Sequence, residues 1–310
     1  MIVAEKEKIH AMAENLAQID AVEGRSLWSD ARKRFMKNKA ATTSVVALVV
    51  VVLVSFIGPY LSDWPHDKID RQIAGFVAQD GKPSFANGHY FGVDAEGRDL
   101  FQRVMQGTRI SLLVGIIGAG IAVIVGTLYG AIAGYVGGRT DQIMMRAVDI
   151  LMAIPFMFVL IIMLTIFGRS VLLLFVGIGL LSWLDMSRIV RGQTLSLKNK
   201  EFVEAAKASG VSGFKIITRH IIPNLLGIVA VYATLLVPGM ILTESFISFL
   251  GLGVQEPDTS WGLLISEGAK TIRYHTEWQL IFPLIFFVIT LFSFFFIGDG
   301  LRDALDPKDR

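Results

Sequence analysis

The 310-residue chain contains no cysteine, which excludes a disulfide framework and any thiolate metal site. Charge is scarce as well. Only 18% of the residues are Asp, Glu, Lys or Arg, against about a quarter in ordinary soluble domains. The net charge is +2 and the basic residues are dispersed, so nucleic acid is not an expected partner. A phosphate loop is missing, because the one Gly-Lys pair, Gly81-Lys82, runs into Pro83. The H-E-x-x-H and G-x-S-x-G patterns are missing too. Neither ATP hydrolysis nor other catalysis by the chain itself is expected. The five histidines are scattered, and no metal site is expected from His66, His89 and His275 in the outer loops.

What the chain has is apolar length. It is 53% hydrophobic, with a mean hydropathy of +0.57. A helix needs roughly 20 apolar residues to cross a bilayer core of about 30 Å. Six segments meet or approach that length: 41–61, 110–135, 150–168, 170–184, 224–243 and 278–298. Their apolar runs are continuous rather than alternating, so they read as helices and not as strands of a barrel. The first begins behind a long charged leader with no cleavage signal after it, and reads as a retained anchor. The expectation is an all-α polytopic membrane protein with six transmembrane helices.

The expected organisation has five parts. Residues 1–40 form an N-terminal segment, poorly ordered over 1–24. An amphipathic helix over 26–39 gathers Leu27, Trp28, Ala31 and Phe35 on one face. Residues 41–61 form the first span and 62–109 a sizeable loop. Residues 110–300 form a core of five spans, and 301–310 a tail. With residue 1 in the cytoplasm, the inner segments hold 20 Lys and Arg and the outer segments 9. Basic residues collect on the cytoplasmic side, so both termini are expected there.

The second span places Gly118, Ala122, Gly126, Gly130, Gly134 and Gly138 at every fourth position. Small residues at that spacing let two helix backbones approach closely in lipid. Pro155, Pro238 and Pro283 fall inside spans three, five and six, where each removes an intrahelical hydrogen bond. Asp149, Asp185, Glu244 and Asp299 fall near the predicted span ends. Without carriers at mid-depth, an ion- or proton-coupled transporter is disfavoured.

Residues 198–224 read Lys-Asn-Lys-Glu-Phe-Val-Glu-Ala-Ala-Lys-Ala-Ser-Gly-Val-Ser-Gly-Phe-Lys-Ile-Ile-Thr-Arg-His-Ile-Ile-Pro-Asn. They predict a short helix up to Ser209, a stop at Gly210 and a second helix over 213–221. Ala205, Ala206 and Ala208 give the first helix a slim profile suited to a partner's groove. Phe202 and Val203 serve as anchors, and Glu201, Glu204 and Lys207 lie at the rim.

Glu204-Ala205-Ala206, Gly210 and the ending Ile222-Pro223 closely resemble the EAA loop of ABC-importer permeases. The usual ending is Ile-x-Leu-Pro. Here His220 replaces its Ile and Ile222 its Leu, as in the peptide-permease branch. His89-Tyr90-Phe91-Gly92-Val93-Asp94, then Gly97-Arg98-Asp99, Arg103, Gly107, Arg109 and Ser111, resemble the outer segment of C-type subunits of dipeptide and oligopeptide permeases. Val93 stands where Thr is usual. Ser248 to Gly253, Pro257 with Ser260-Trp261-Gly262, and Asp299 to Pro307 are similar to further blocks of that family. Gly24-Arg25-Ser26-Leu27-Trp28 and Ser182-Trp183-Leu184-Asp185 resemble its oligopeptide members.

The resemblance implies a type I ABC-importer permease fold in a bacterial inner membrane. It implies that 198–224 is a coupling loop in which Phe202, Val203, Glu204, Ala205, Ala206 and Gly210 meet an ATPase. It marks Gly92, Asp94, Gly97, Arg98 and Asp99 as an outer motif. It also implies partners: a second homologous permease subunit, two cytoplasmic ATPase subunits that hold the ATP and Mg, an external peptide-binding protein, membrane lipid, and peptide as cargo.

Overall fold

The computed structural model describes residues 27–305, without the side chains of Leu27 and Leu181. The expectations for residues 1–24, for Gly24-Arg25-Ser26 and for the tail beyond Leu305 lie outside the described residues. The helices are α1 Leu27–Lys37, α2 Lys39–Ile57, α3 Leu100–Val136, α4 Gly138–Ala153, α5 Phe156–Phe167, α6 Val171–Leu197, α7 Glu201–Ala208, α8 Ile222–Phe249, α9 Trp261–Thr271 and α10 Trp278–Leu305. Shorter helical turns join some of them. Among the described residues there is no sheet, only the isolated bridges Ile69–Arg98 and Val93–Asp99.

Five stretches are long and apolar enough to cross a membrane, and α4 with α5 makes a sixth whose halves meet at 75°. The predicted span 150–168 is therefore not one helix. Pro155 forces its neighbour into extended backbone, and Ile154 sits at φ −83°, ψ 124°. Contacts at its two ends show that the bent pair still crosses. It starts next to the end of α3 and finishes at Arg169, whose guanidinium donates to the Gly251 carbonyl beyond the far end of α8. A re-entrant loop would return to its own side. Pro238 and Pro283 lie within continuous helices.

The bundle thus has a loop end, carrying residues 58–99 and 250–277, and a turn end, carrying Gly137 and residues 198–213. α1 lies at the turn end beside the last turns of α10. Ala31 is buried, the Phe35 ring packs at Gly300, and Trp28 is exposed.

The seam between α3 and α6 is the most extensive helix–helix contact among the described residues, and its backbones approach closely. A Cβ on Gly130 would stand 2.3 Å from the Ser187 carbonyl, and one on Gly134 would stand 2.8 Å from Thr194 Cβ. Gly126 meets Met186 and the Trp183 carbonyl just as tightly, and Ala122 is fully buried. Gly118 faces Met240 of α8 instead. Gly138 does not belong to this stripe: it opens α4, is exposed, and has no atom within 4 Å of its missing Cβ.

Two span ends differ from expectation. α6 does not stop at 184 but runs to Leu197, so Asp185 lies in mid-helix. The charges at Asp185, Arg188 and Arg191 end the hydropathy run without ending the helix. The last span-five segment is a continuous rod from Gly213 to Phe249. Pro223 lacks an N–H and would crowd the carbonyl four residues back. A widened π-turn, Ile217–Ile221, precedes it, and the Asn224 side chain donates to the His220 carbonyl at 2.6 Å.

Candidate coupling site

α7 is short because its neighbours stop it. Its first turn carries Glu201 and Glu204 and its last Lys207, both favourable to the helix dipole. Gly210 ends it with φ +74°, a conformation open to glycine at no steric cost. Ser212 then leads into the rod.

The two faces of α7 differ. Val203 is fully buried and Ala206 nearly so, packed with Ile216, Ile217, Ile221 and Leu225 at the base of the rod and Val190 of α6. Val203 therefore cannot anchor a partner, and neither it nor Ala206 belongs to a free surface. They seat the helix on its own chain. An eight-residue helix with three small residues leaves its inward face ambiguous in sequence. Glu201, Phe202, Glu204, Ala205, Lys207 and Ala208 are exposed, Phe202 at 39%. The Lys207 ammonium stands 5.4 Å over the Tyr135 ring. Nearby, Lys198 donates to the Gly134 carbonyl at 3.0 Å, and Arg191 grips Asp141 with two bonds of 2.5 and 2.7 Å.

The outer motif builds a buried ionic cluster at the loop end. Asp94 Oδ1 accepts from the amides of Glu96 and Arg98, both at 2.9 Å, closing an Asx turn. Its other oxygen takes Arg98 Nε at 2.7 Å and a short bond from Arg103. Arg98 reaches on to Glu256 and Arg103 to Glu267, each at 2.9 Å. Gly92 must be glycine: its φ is +76°, and a Cβ would strike the Gly81 carbonyl at 2.5 Å. Gly97, at φ +85°, makes the turn back toward Asp70. Asp99 caps α3 through the Gln102 amide and holds the fully buried His89 at 2.9 Å. The Arg98 hydrogen bond keeps the Glu256 carboxyl below the usual range. Burial pushes that of Glu267 up, against the pull of Arg103.

A second polar knot was invisible in sequence. Glu244 is fully buried five residues before the end of α8. Ser248 donates to one of its oxygens at 2.6 Å and Ser111 of α3 to the other at 3.0 Å. The Val254 amide donates to Ser248 and the Trp261 amide to Ser111, so each serine proton is aimed at the carboxylate. The partners are up to 150 residues apart in the chain, and no local pattern marks such a pairing.

This architecture places the chain in a known class. Residues 126–310 match the family described as binding-protein-dependent transport system inner membrane component, and the chain belongs to it. It is a multi-pass inner-membrane permease subunit and not an enzyme. Residues 26–78 match the N-terminal transmembrane domain of oligopeptide transport permease C. The chain is 57% identical, over 96% of both chains, to the oligopeptide transport system permease protein OppC of Escherichia coli K12. It is 55% identical to OppC of Haemophilus influenzae over 93% of this chain and 91% of that one. To the dipeptide transport system permease protein DppC of Bacillus subtilis it is 42% identical, over 92% and 87%.

Proposed function

We propose that this chain forms half of the pathway of an ATP-driven oligopeptide importer, with a second permease subunit forming the other half. A separate ATPase pushes on α7, whose outward residues Phe202, Glu204 and Ala205, with the stop at Gly210, form the docking surface. The observation that carries this reading is the division of α7 into a buried face fixed to the base of the rod and an exposed face that presents Phe202, Glu204 and Ala205. Motion of α7 is then motion of the rod. The excess of Lys and Arg at the turn end supports placing that end, α1 and the end of α10 in the cytoplasm. The loop end then faces outward, toward a peptide-binding protein. Nucleotide and Mg belong to the ATPase partners. Oligopeptides rather than dipeptides are favoured by the higher identity to the oligopeptide relatives.

The test is ATP-driven uptake of radiolabelled tri-alanine by the transporter reconstituted with its ATPase and binding-protein subunits. Glu204→Arg is expected to cut uptake at least tenfold while leaving the thermal midpoint of the purified chain unchanged. Full uptake by that variant, or absence of uptake by the unaltered transporter, overturns the reading.

A further inference from the structure

The bend between α4 and α5 opens a cleft of about 480 Å³ against α6 and α8. Its walls are mostly apolar, including Leu151, Phe156, Val159 and Leu236, and Gly239 leaves α8 thin where it faces the opening. One ionisable group lines it: Asp185.

Asp185 stands about fourteen residues into α6, or about 21 Å along its axis from the loop end. Its side chain is exposed in the cleft, and no ion pair or hydrogen bond among the described residues engages it. The two nearest arginines on its own helix are committed elsewhere, Arg188 to Asp149 at 2.5 Å and Arg191 to Asp141. A lone carboxylate at that depth is costly against lipid, so it faces water or a cation.

We propose that this cleft is a stopping point for a peptide in transit, with the Asp185 carboxylate holding the peptide's N-terminal ammonium. The inference rests on the importer reading above and adds a binding group within the pathway. Charge complementarity selects the occupant. An α-amino group is largely protonated near neutral pH and is present in every linear peptide with a free N-terminus. Side chains vary from one cargo to the next, so a pathway open to many sequences gains from gripping the invariant end. The apolar walls then accept varied side chains without demanding a particular one. A Lys or Arg of the companion permease subunit is the rival occupant. It would close the cleft permanently with an intersubunit ion pair.

The experiment exploits the absence of cysteine. In the complete transporter, Ser182→Cys, on the cleft wall one helical turn from Asp185, introduces this subunit's only thiol and leaves the carboxylate in place. It is expected to react with aminoethyl methanethiosulfonate, and tri-alanine is expected to slow that reaction several-fold while N-acetylated tri-alanine does not. Asp185→Asn is expected to lower ATP-driven tri-alanine uptake about tenfold, with unchanged co-purification of the companion subunit, and Asp185→Glu is expected to restore most of it. An unreactive thiol, or loss of the companion subunit from the Asn variant, assigns Asp185 to the subunit interface and overturns the proposal. Unchanged uptake by the Asn variant, or equal protection by the acetylated peptide, overturns it as well. Failure of the unaltered transporter to take up peptide would instead count against the importer reading.

Discussion

At the loop end, buried arginines are tied to carboxylates more than 150 residues away, Arg98 to Glu256 and Arg103 to Glu267. At the turn end, α7 rests on the buried Val203 and Ala206 and one cation–π contact. The first arrangement has few ways to move, because parting Arg103 or Arg98 from Asp94 strands a buried charge. The second can slide or tilt with small losses, because apolar contacts are non-directional. One end of the bundle resists deformation more than the other.

The sharpest way to break this comparison is to part the seam that joins the two ends. Gly130→Leu forces α3 and α6 apart and is expected to cost about 3 kcal/mol or more, read as lost yield of folded protein in mild detergent. Gly120→Leu, on the same helix with open space around it, is the control and leaves the yield unchanged. Similar in size is Arg103→Ala, which leaves Asp94 and Glu267 without their buried partner. It is expected to cost about 3–5 kcal/mol if the network cannot relax, and less where water enters beside Glu267, read from denaturant unfolding.

Val203→Ala sharpens the contrast at the other end. The loss is about 1–2 kcal/mol and confined to α7, so global unfolding barely shifts. Faster hydrogen exchange over 201–208 is its signature, and an unchanged exchange rate would contradict the apolar seat.

The smallest effect is a pair of opposite pH dependences inside the loop-end cluster. Glu256 titrates below the usual range, so its stabilisation is present above the ordinary glutamate value and is lost as pH falls through its lowered one. Glu267 titrates above that range, so stability falls as pH rises from the ordinary value through its raised one. Glu256→Gln should remove the acid-side loss and Glu267→Gln the loss on the alkaline side. Melting curves from pH 4 to 8 check both, and equal slopes for the two variants would contradict the assignment.

Much of this was legible in the chain itself. Apolar run length gave the spans, and the four-residue spacing of Gly126, Gly130 and Gly134 marked the seam between α3 and α6. Glu204-Ala205-Ala206 with Gly210 located α7. What escaped has a common cause. Hydropathy cannot see a helix continue past charges that face a cleft, so the apolar run stops at Asp185 while α6 does not. Local patterns cannot show which way an eight-residue helix turns, so they do not reveal that Val203 faces inward. They also cannot pair Glu244 with Ser111 or Arg103 with Glu267, because those partners meet only after the bundle forms.

The unbroken helix from Gly213 to Phe249 has a mechanical consequence. Its 37 residues span about 55 Å. Pivoted at the Glu244 knot near one tip, such a shaft turns a tilt of about 10° into a swing of several ångströms at the other. Gly239 lies only five residues, or about 8 Å, from that pivot, so the same tilt shifts it by only about 1 Å and spends its amplitude at the end that bears α7.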